Sequence, residues 1–163
     1  LSSSDAITAL RSFPRRYRAE ILPALEVPTA EESAYRAGPN GESAMEIFDH
    51  TTRTLHMLAR ALHQVMVSQD TAVLHPGVLD PAQRQFTQPD TSHELTIEEA
   101  LDQFADACEE MAQEIERVHF GDWSKRKARI ADGREIDPFE IVTEAVRAGA
   151  TGLTRIREAL AVP

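Results

Sequence analysis

The stretch TIEEALDQFADACEEMAQEIERV, residues 96–118, decides the fold class. It opens with Thr96 three residues before Glu99, the spacing of a capping box in which two side chains satisfy backbone N–H groups of a first helical turn. Apolar residues then recur at steps of three and four, the period of a helix that is buried on one face. They are Leu101, Phe104, Cys108, Met111, Ile115 and Val118. The stretch therefore predicts a long amphipathic helix.

Two earlier stretches have the same period. The first helix begins at a cap, Ser4 or Asp5, and we expect Pro14 to kink it or to divide it in two. Its inward positions are Ile7, Leu10, Pro14, Tyr17 and Ile21. The second helix spans residues 43–68, after a break rich in proline and glycine. Its inward positions are Ala44, Phe48, Thr51, Leu55, Leu58, Leu62 and Val65.

A fourth helix opens at Asp137, where a side-chain cap, a proline in the first turn and Glu140 coincide. Its inward positions are Val142, Ala145, Gly149, Leu153, Ile156 and Leu160. Four such stripes bury one another by packing side by side, which predicts an all-α, four-helix bundle in a single domain, residues 1–163. The connection at 69–94 predicts a long crossover or a lid between helices two and three. The turn at Asp132-Gly133 predicts a small hairpin.

Composition narrows the possible partners. The chain has 163 residues, 42% of them hydrophobic, with 27 acidic and 17 basic side chains and a formal charge of −10. Such a charge repels phosphate backbones, so we expect no nucleic-acid partner. A single cysteine, the absence of a signal-peptide pattern at the start and the lack of any apolar run of about 18 residues predict a cytoplasmic protein that does not cross a membrane.

Six histidines are the first candidates for a metal site. His56 and His63 project to the outer side of helix two, and His75, His93 and His119 lie in or beside loops, so we interpret these five as surface residues. His50 lies at the edge of the apolar stripe, where it points toward the bundle centre. A histidine there is either a hydrogen-bonded core residue or a ligand. The usual helical metal motifs, such as HExxH and HxxxH, are absent.

Helix four contains two glycines that each cost about 1 kcal/mol relative to alanine. Gly149 and Gly152 indicate either a close contact between helices or room for a ligand beside Arg147 and Thr151. With His50, Arg147 could form a cationic spot for a carboxylate or a phosphate. Cys108 on the inward stripe of helix three is interpreted as a structural, buried thiol. Trp123 is interpreted as an anchor at the rim of the core.

Several segments, in order, resemble the DinB-like superfamily, in particular the actinobacterial branch that includes the N-terminal domain of mycothiol-dependent maleylpyruvate isomerase. The matching segments are residues 11–17 (RSFPRRY), residues 43–46 (SAME) running to His50, residues 121–123 (GDW) and residues 132–134 (DGR). The resemblance implies a four-helix bundle with a long crossover that often pairs as a homodimer. It also implies a divalent metal, zinc or nickel, held by one histidine of helix two and an HxxxH pair of helix four.

Only the first of these implied ligands is present. His50 matches the helix-two histidine, whereas the two helix-four positions hold Arg147 and Thr151. Neither residue replaces a neutral imidazole, and an arginine repels a cation. We therefore expect no cofactor, unless His50 binds a metal with other donors such as Glu46, Asp49 or Glu144. The resemblance thus supports the fold more strongly than the activity.

Three functions remain open at this stage. In the first, a divergent, metal-free protein binds a small, anionic ligand in the bundle centre through His50, Arg147 and Thr151. In the second, the chain is a metal-dependent thiol transferase or isomerase of the mycothiol type with an unusual site. In the third, it is an interaction module with no ligand. We rank the first slightly above the third, and the second last.

Overall fold

The computed structural model describes residues 1–25, 34–35, 37, 41–84, 86, 94–119 and 121–160. Four long helices form a bundle: α1 (Ser3–Ile21), α2 (Ala44–Val67), α3 (Ile97–Glu116) and α4 (Phe139–Leu160). A one-turn helix (Asp122–Lys125) and short 3-10 turns at Leu22–Leu25, Pro76–Val78 and Pro81–Gln83 lie between the long helices. The predicted all-α bundle is confirmed.

Side-chain caps set the start of each long helix. The hydroxyl of Ser2 accepts the N–H of Asp5 ahead of α1, and Thr96 accepts the N–H of Glu99 ahead of α3. At α2, Ser43 and Glu46 form a complete capping box. At α4, the carboxylate of Asp137 accepts the N–H of Phe139, and the Asp137 N–H is bound by Glu140. These are the donors that a helix leaves without intrahelical partners, so each cap fixes a boundary.

The helix contacts place α1 and α2 at opposite corners of the bundle. Each of them packs against both α3 and α4. Four aromatic rings from three helices, Phe13 and Tyr17 of α1, Phe48 of α2 and Phe104 of α3, meet in the centre and are at most 2% exposed. Tyr17 stacks on Phe104 with ring centroids 4.2 Å apart, and its hydroxyl donates to the carbonyl of Gly149 in α4. Tyr17, a residue of α1, thus contacts the other three helices. It contacts α2 through the ring of Phe48.

A three-stranded sheet lies at one end of the crossover. Strand β2 (Ala128–Ile130) pairs antiparallel with β3 (Glu135–Ile136), and Gly133 takes a φ of 102° in the turn between them. This is the predicted hairpin. Strand β1 (Ala72–Leu74), from the crossover, pairs parallel with β2 in the register Ala72 to Ala128. Strand β1 was not predicted, because a three-residue strand has almost no period of its own.

Pro14 does not divide α1, which is continuous from Ser3 to Ile21. The expectation of two pieces is therefore wrong. Proline removes one backbone N–H from the helix, but Pro14 is flanked by Leu10, Phe13 and Tyr17 of the same helix, all 0–1% exposed. Their burial favours one continuous helix. The 69–94 connection is an ordered crossover over residues 69–84, whereas the remainder lies mostly outside the described residues.

Candidate functional site

The three residues predicted to bind a ligand lie at the surface of the bundle rather than in its centre. The His50 side chain is 43% exposed and that of Arg147 is 45% exposed, while Thr151 is exposed. His50 donates from Nδ1 to Glu42 at 3.3 Å, and Arg147 donates to Glu144. No hydrogen bond or ion pair joins any two of the three within the described part of the chain. Their role in binding stays a prediction, while the bundle centre is filled by aromatic rings.

The metal site that the resemblance implies does not fit the residues present. No three His, Cys, Asp or Glu side chains among the described residues come close enough to hold a metal ion. The other donors proposed beside His50 also have partners. Glu46 accepts the backbone N–H of Ser43, and Asp49 accepts from Arg53. Glu144 accepts from two arginines, Arg84 and Arg147.

The glycines of α4 serve close helix packing rather than a ligand. A Cβ on Gly149 would lie 2.4 Å from a ring carbon of Phe13. A Cβ on Gly152 would lie 2.6 Å from the Thr51 hydroxyl and 2.7 Å from the Tyr17 hydroxyl. Both distances are far inside van der Waals contact, so only glycine lets α1 and α2 approach α4 this closely. The packing therefore supports a close contact between helices, and not room for a ligand, as the reason for these two glycines.

Two other interpretations from the sequence are confirmed. Cys108 is buried, and its burial raises the pKa of the thiol, which suits a structural residue and not a nucleophile. Trp123 is partly buried against the core and meets Phe139 edge-on, with ring centroids 5.2 Å apart. Neither residue contributes to the site described next.

Arg84 fastens the crossover to the bundle. Its guanidinium donates to the carbonyls of Gly77 and Val78 within the crossover, and also to the carboxylate of Glu144 in α4. The side chains of Arg84 and Glu144 are only 9% and 8% exposed. Arg147 supplies a second cation to Glu144, which in turn raises the pKa of Arg147. The pair holds residues 77–84 at a fixed place beside the bundle.

With the crossover held there, a cleft of about 430 Å³ opens between it and the outer face of α2. We call it the crossover cleft. Its cationic and imidazole side chains are Arg53, His56, Arg60 and His75. Its apolar side chains are Met57, Leu74, Val78 and Phe86, with Ala61 and Gln64 between them. The volume lies in the range of small-molecule sites, which combine an apolar lining with a few polar groups.

The polar side chains of the cleft differ in their hydrogen-bond and ion-pair partners within the protein. Arg53 donates to Asp49, and its guanidinium lies 5.9 Å from the centroid of the Phe86 ring. His56 pairs through Nδ1 with Glu110 of α3. His75 accepts the N–H of Gly77 at Nδ1, so a neutral His75 carries its proton on Nε2. Arg60 is exposed and has no hydrogen-bond or ion-pair partner among the described residues.

Sequence reasoning missed this cleft. Arg53, Met57, Arg60 and Gln64 form an outward-facing stripe of α2, which the helical period assigns to solvent, and His56 was interpreted as a surface residue for the same reason. In the structure, Leu74, His75, Val78 and Phe86 of the crossover lie opposite the stripe and form the cleft with it. The signal available was the charge of the stripe, since Arg53, His56 and Arg60 lie within eight residues of α2. His50 lies at the edge of the cleft, where the centroid of its ring is 6.4 Å from that of the Phe86 ring.

A family model for the DinB superfamily matches residues 15–147. The chain belongs to the DinB superfamily. The match runs from α1 into α4 and ends at Arg147, so it includes the crossover and the hairpin and leaves Thr151 beyond its end. No curated protein and no solved structure matches the chain significantly. For this member of the DinB superfamily, none of the described helices is long and apolar enough to cross a membrane.

Proposed function

We propose that this DinB-superfamily protein binds a small organic anion in the crossover cleft and works without the metal of its relatives. The observation that carries the proposal is the charge of the cleft. In a chain of net charge −10, one cleft of about 430 Å³ gathers Arg53, His56, Arg60 and His75 around an apolar floor. Cationic groups concentrated in a concave, partly apolar site favour an anion with an apolar portion.

Within the superfamily, we further propose that the chain is a divergent member of the actinobacterial branch that includes the mycothiol-dependent maleylpyruvate isomerase domain. The support is the order of the four matching segments, at residues 11–17, 43–50, 121–123 and 132–134. Arg147 and Thr151 at the implied ligand positions, and the carboxylate partner of His50, support a metal-free role. A homodimer stays a prediction from the same resemblance, and sedimentation equilibrium of the untagged protein would test it.

The test is a screen of anionic, neutral and cationic organic fragments by two-dimensional amide NMR, with and without a chelator. We expect anionic fragments to shift the resonances of residues 53–64 and 74–78, equally in both conditions. Gln64→Trp should block the cleft, because Gln64 lines it from an exposed helical position that accepts a larger side chain. Gln103→Trp, at an exposed position of α3, is the matched control and should leave the shifts unchanged.

Three results would contradict the proposal. Fragment binding that vanishes with the chelator would point to a metal-dependent site, and so to the thiol-transferase function. Shifts confined to residues around Arg147 and Thr151, with Gln64→Trp having no effect, would move the site to the other side of the crossover. The absence of any fragment binding would favour an interaction module.

A further inference from the structure

Arg60 is distinguished from the other polar groups of the crossover cleft because it has no partner in the part of the chain that the structure describes. The charge of Arg53 is offset by Asp49, and His56 is paired with Glu110. Among the described residues no carboxylate offsets Arg60. Among the described residues that line the cleft, Arg60 is therefore the cation whose charge no carboxylate offsets, and a single negative charge on a ligand would balance it.

A hydrogen-bond donor accompanies this cation. Because Gly77 donates its N–H to Nδ1 of His75, which lines the cleft, the neutral imidazole keeps its proton on Nε2. Arg60 and His75 line the same cleft, so an anionic group bound between them would accept from both. A guanidinium with a second donor nearby suits the two oxygens of a carboxylate.

The apolar groups continue from this polar end. Arg53 and Gln64 are separated by roughly 16 Å along the helix axis, so the cleft is elongated. Phe86 lies at the Arg53 end, where it faces both His50 and Arg53. Met57 and Val78 lie on the two walls, α2 and the crossover. An apolar or aromatic body pointing from Arg60 toward Phe86 would bury its surface against these side chains.

We propose that the ligand is an organic monocarboxylate, whose carboxylate binds Arg60 and His75 and whose apolar body extends toward Phe86. This inference rests on the proposed function, since it names the chemical class of the ligand for the same cleft. In this proposal, Arg60 is the residue that selects a ligand with a single negative charge. Arg53, already paired with Asp49, is assigned to the wall that supports Phe86.

Three probes that share a phenyl ring separate the possibilities: phenylacetate, phenyl phosphate as a dianion, and the neutral 2-phenylethanol. Each is titrated by amide NMR into the full chain, Arg60→Gln and Arg15→Gln. Arg15 is an exposed arginine of α1, so its variant removes the same charge away from the cleft. We expect phenylacetate to bind most tightly, and Arg60→Gln to weaken it by about tenfold or more while leaving 2-phenylethanol unchanged. Arg15→Gln should bind all three probes as the wild type does.

The possible failures are distinguishable. Tighter binding of phenyl phosphate, or equal phenylacetate affinity in Arg60→Gln and wild type, would overturn the monocarboxylate assignment and leave the cleft as an anion site. Equal affinity for phenylacetate and 2-phenylethanol would overturn it as well, since charge would then play no part. If no probe shifts the resonances of the cleft, both this inference and the proposed function fail.

Discussion

Tyr17 shows how one residue can join the whole bundle. Its ring stacks on Phe104 of α3 and lies 5.7 Å from that of Phe48 in α2, and its hydroxyl donates to the Gly149 carbonyl in α4. A buried hydroxyl needs such an acceptor, because leaving it unpaired costs about 1–3 kcal/mol. Gly152 makes room for this hydroxyl, and Gly149 makes room for the ring of the neighbouring Phe13. The tyrosine and the two glycines thus form one packing unit at the α1–α4 contact.

Alanine in place of Gly149 should destabilise the protein, although alanine is the better helix former by about 1 kcal/mol. The new Cβ would lie 2.4 Å from the buried ring of Phe13. Overpacking of this kind costs typically about 1–3 kcal/mol, so the net loss in the free energy of unfolding should be measurable by urea denaturation. Gly121→Ala is the control, because its nearest neighbour would lie at 3.7 Å. A Gly149→Ala protein as stable as wild type would contradict the packing role.

The protein should lose stability in alkaline solution because of two buried acids. Burial raises the pKa of Tyr17 above its ordinary value of 10.0 and that of Cys108 above 9.0. As pH rises, the unfolded chain loses these protons first, so their contribution is fully present below about pH 9 and declines above it. Each group can lower the free energy of unfolding by up to about 1.4 kcal/mol per pH unit.

Urea denaturation at a series of alkaline pH values measures this slope. Tyr17→Phe and Cys108→Ala each remove one of the two acids, so each variant should show a shallower decline than wild type. The comparison uses slopes, since the variants will also differ in absolute stability. Slopes identical to that of the wild type would mean that other groups cause the alkaline loss.

The sequence predicted the inward side of each helix better than the outward side. Tyr17, Phe48, Phe104 and Cys108 were all placed correctly, because burial on one face imposes the helical period directly. The cleft was missed because its α2 stripe is polar, and a polar stripe is covered only when a distant segment packs over it. Such a contact depends on the path of the crossover, which no local pattern encodes.

At the scale of elements, caps and turns made several boundaries predictable, although the cap of α1 is Ser2 and not Ser4 or Asp5 as predicted. Helix α2 was predicted over residues 43–68 and spans Ala44–Val67, with Ser43 and Ser68 as its caps. The hairpin was predicted from Asp132-Gly133 alone, since its turn needs a positive φ. Strand β1 was not predictable in this way, because its pairing with β2 joins residues far apart in the chain. Local chemistry therefore specified the helices, and the crossover depended on non-local contacts.

The crossover should loosen when its anchor on α4 is weakened. Glu144→Gln keeps the size of the side chain but removes the charge that binds Arg84 and Arg147. We expect faster amide hydrogen exchange over residues 72–84, with a smaller change in α1, and a loss in the free energy of unfolding of about 1–3 kcal/mol. Exchange measured by mass spectrometry resolves the two regions. Glu158→Gln, at an exposed position of α4, should change neither.

Unchanged hydrogen exchange in Glu144→Gln would contradict the role of α4 as the anchor of the crossover. If Glu144→Gln leaves exchange over residues 72–84 unchanged, the hydrogen bonds from Arg84 to Gly77 and Val78 hold the crossover without help from α4. The wall of the cleft would then be a self-contained loop rather than one fastened to the bundle.

At the scale of the whole molecule, carboxylates and arginines occupy the side of the bundle where the resemblance implies a metal. Glu42 binds both His50 and Arg155, so it joins α2 to α4. Glu144 joins α4 to the crossover. Ion pairs with good hydrogen bonds can link elements much as a metal does, although each carries its own cost of desolvation. The fold can therefore be held at this side by groups that need no metal.

Metal content tests this interpretation directly. We expect untagged protein prepared without chelator to contain far less than one zinc or nickel per chain by plasma mass spectrometry, in the wild type and in His50→Ala alike. The double substitution Arg147→His and Thr151→His creates an i, i+4 histidine pair on α4, the spacing that places two imidazoles on one helical face. If these positions correspond to the relatives' ligands, the double variant should gain zinc and lose it again when His50→Ala is added. Near-stoichiometric metal in the wild type that disappears in His50→Ala would instead revive the thiol-transferase function, because a metal would then be held by donors other than the pair missing from α4.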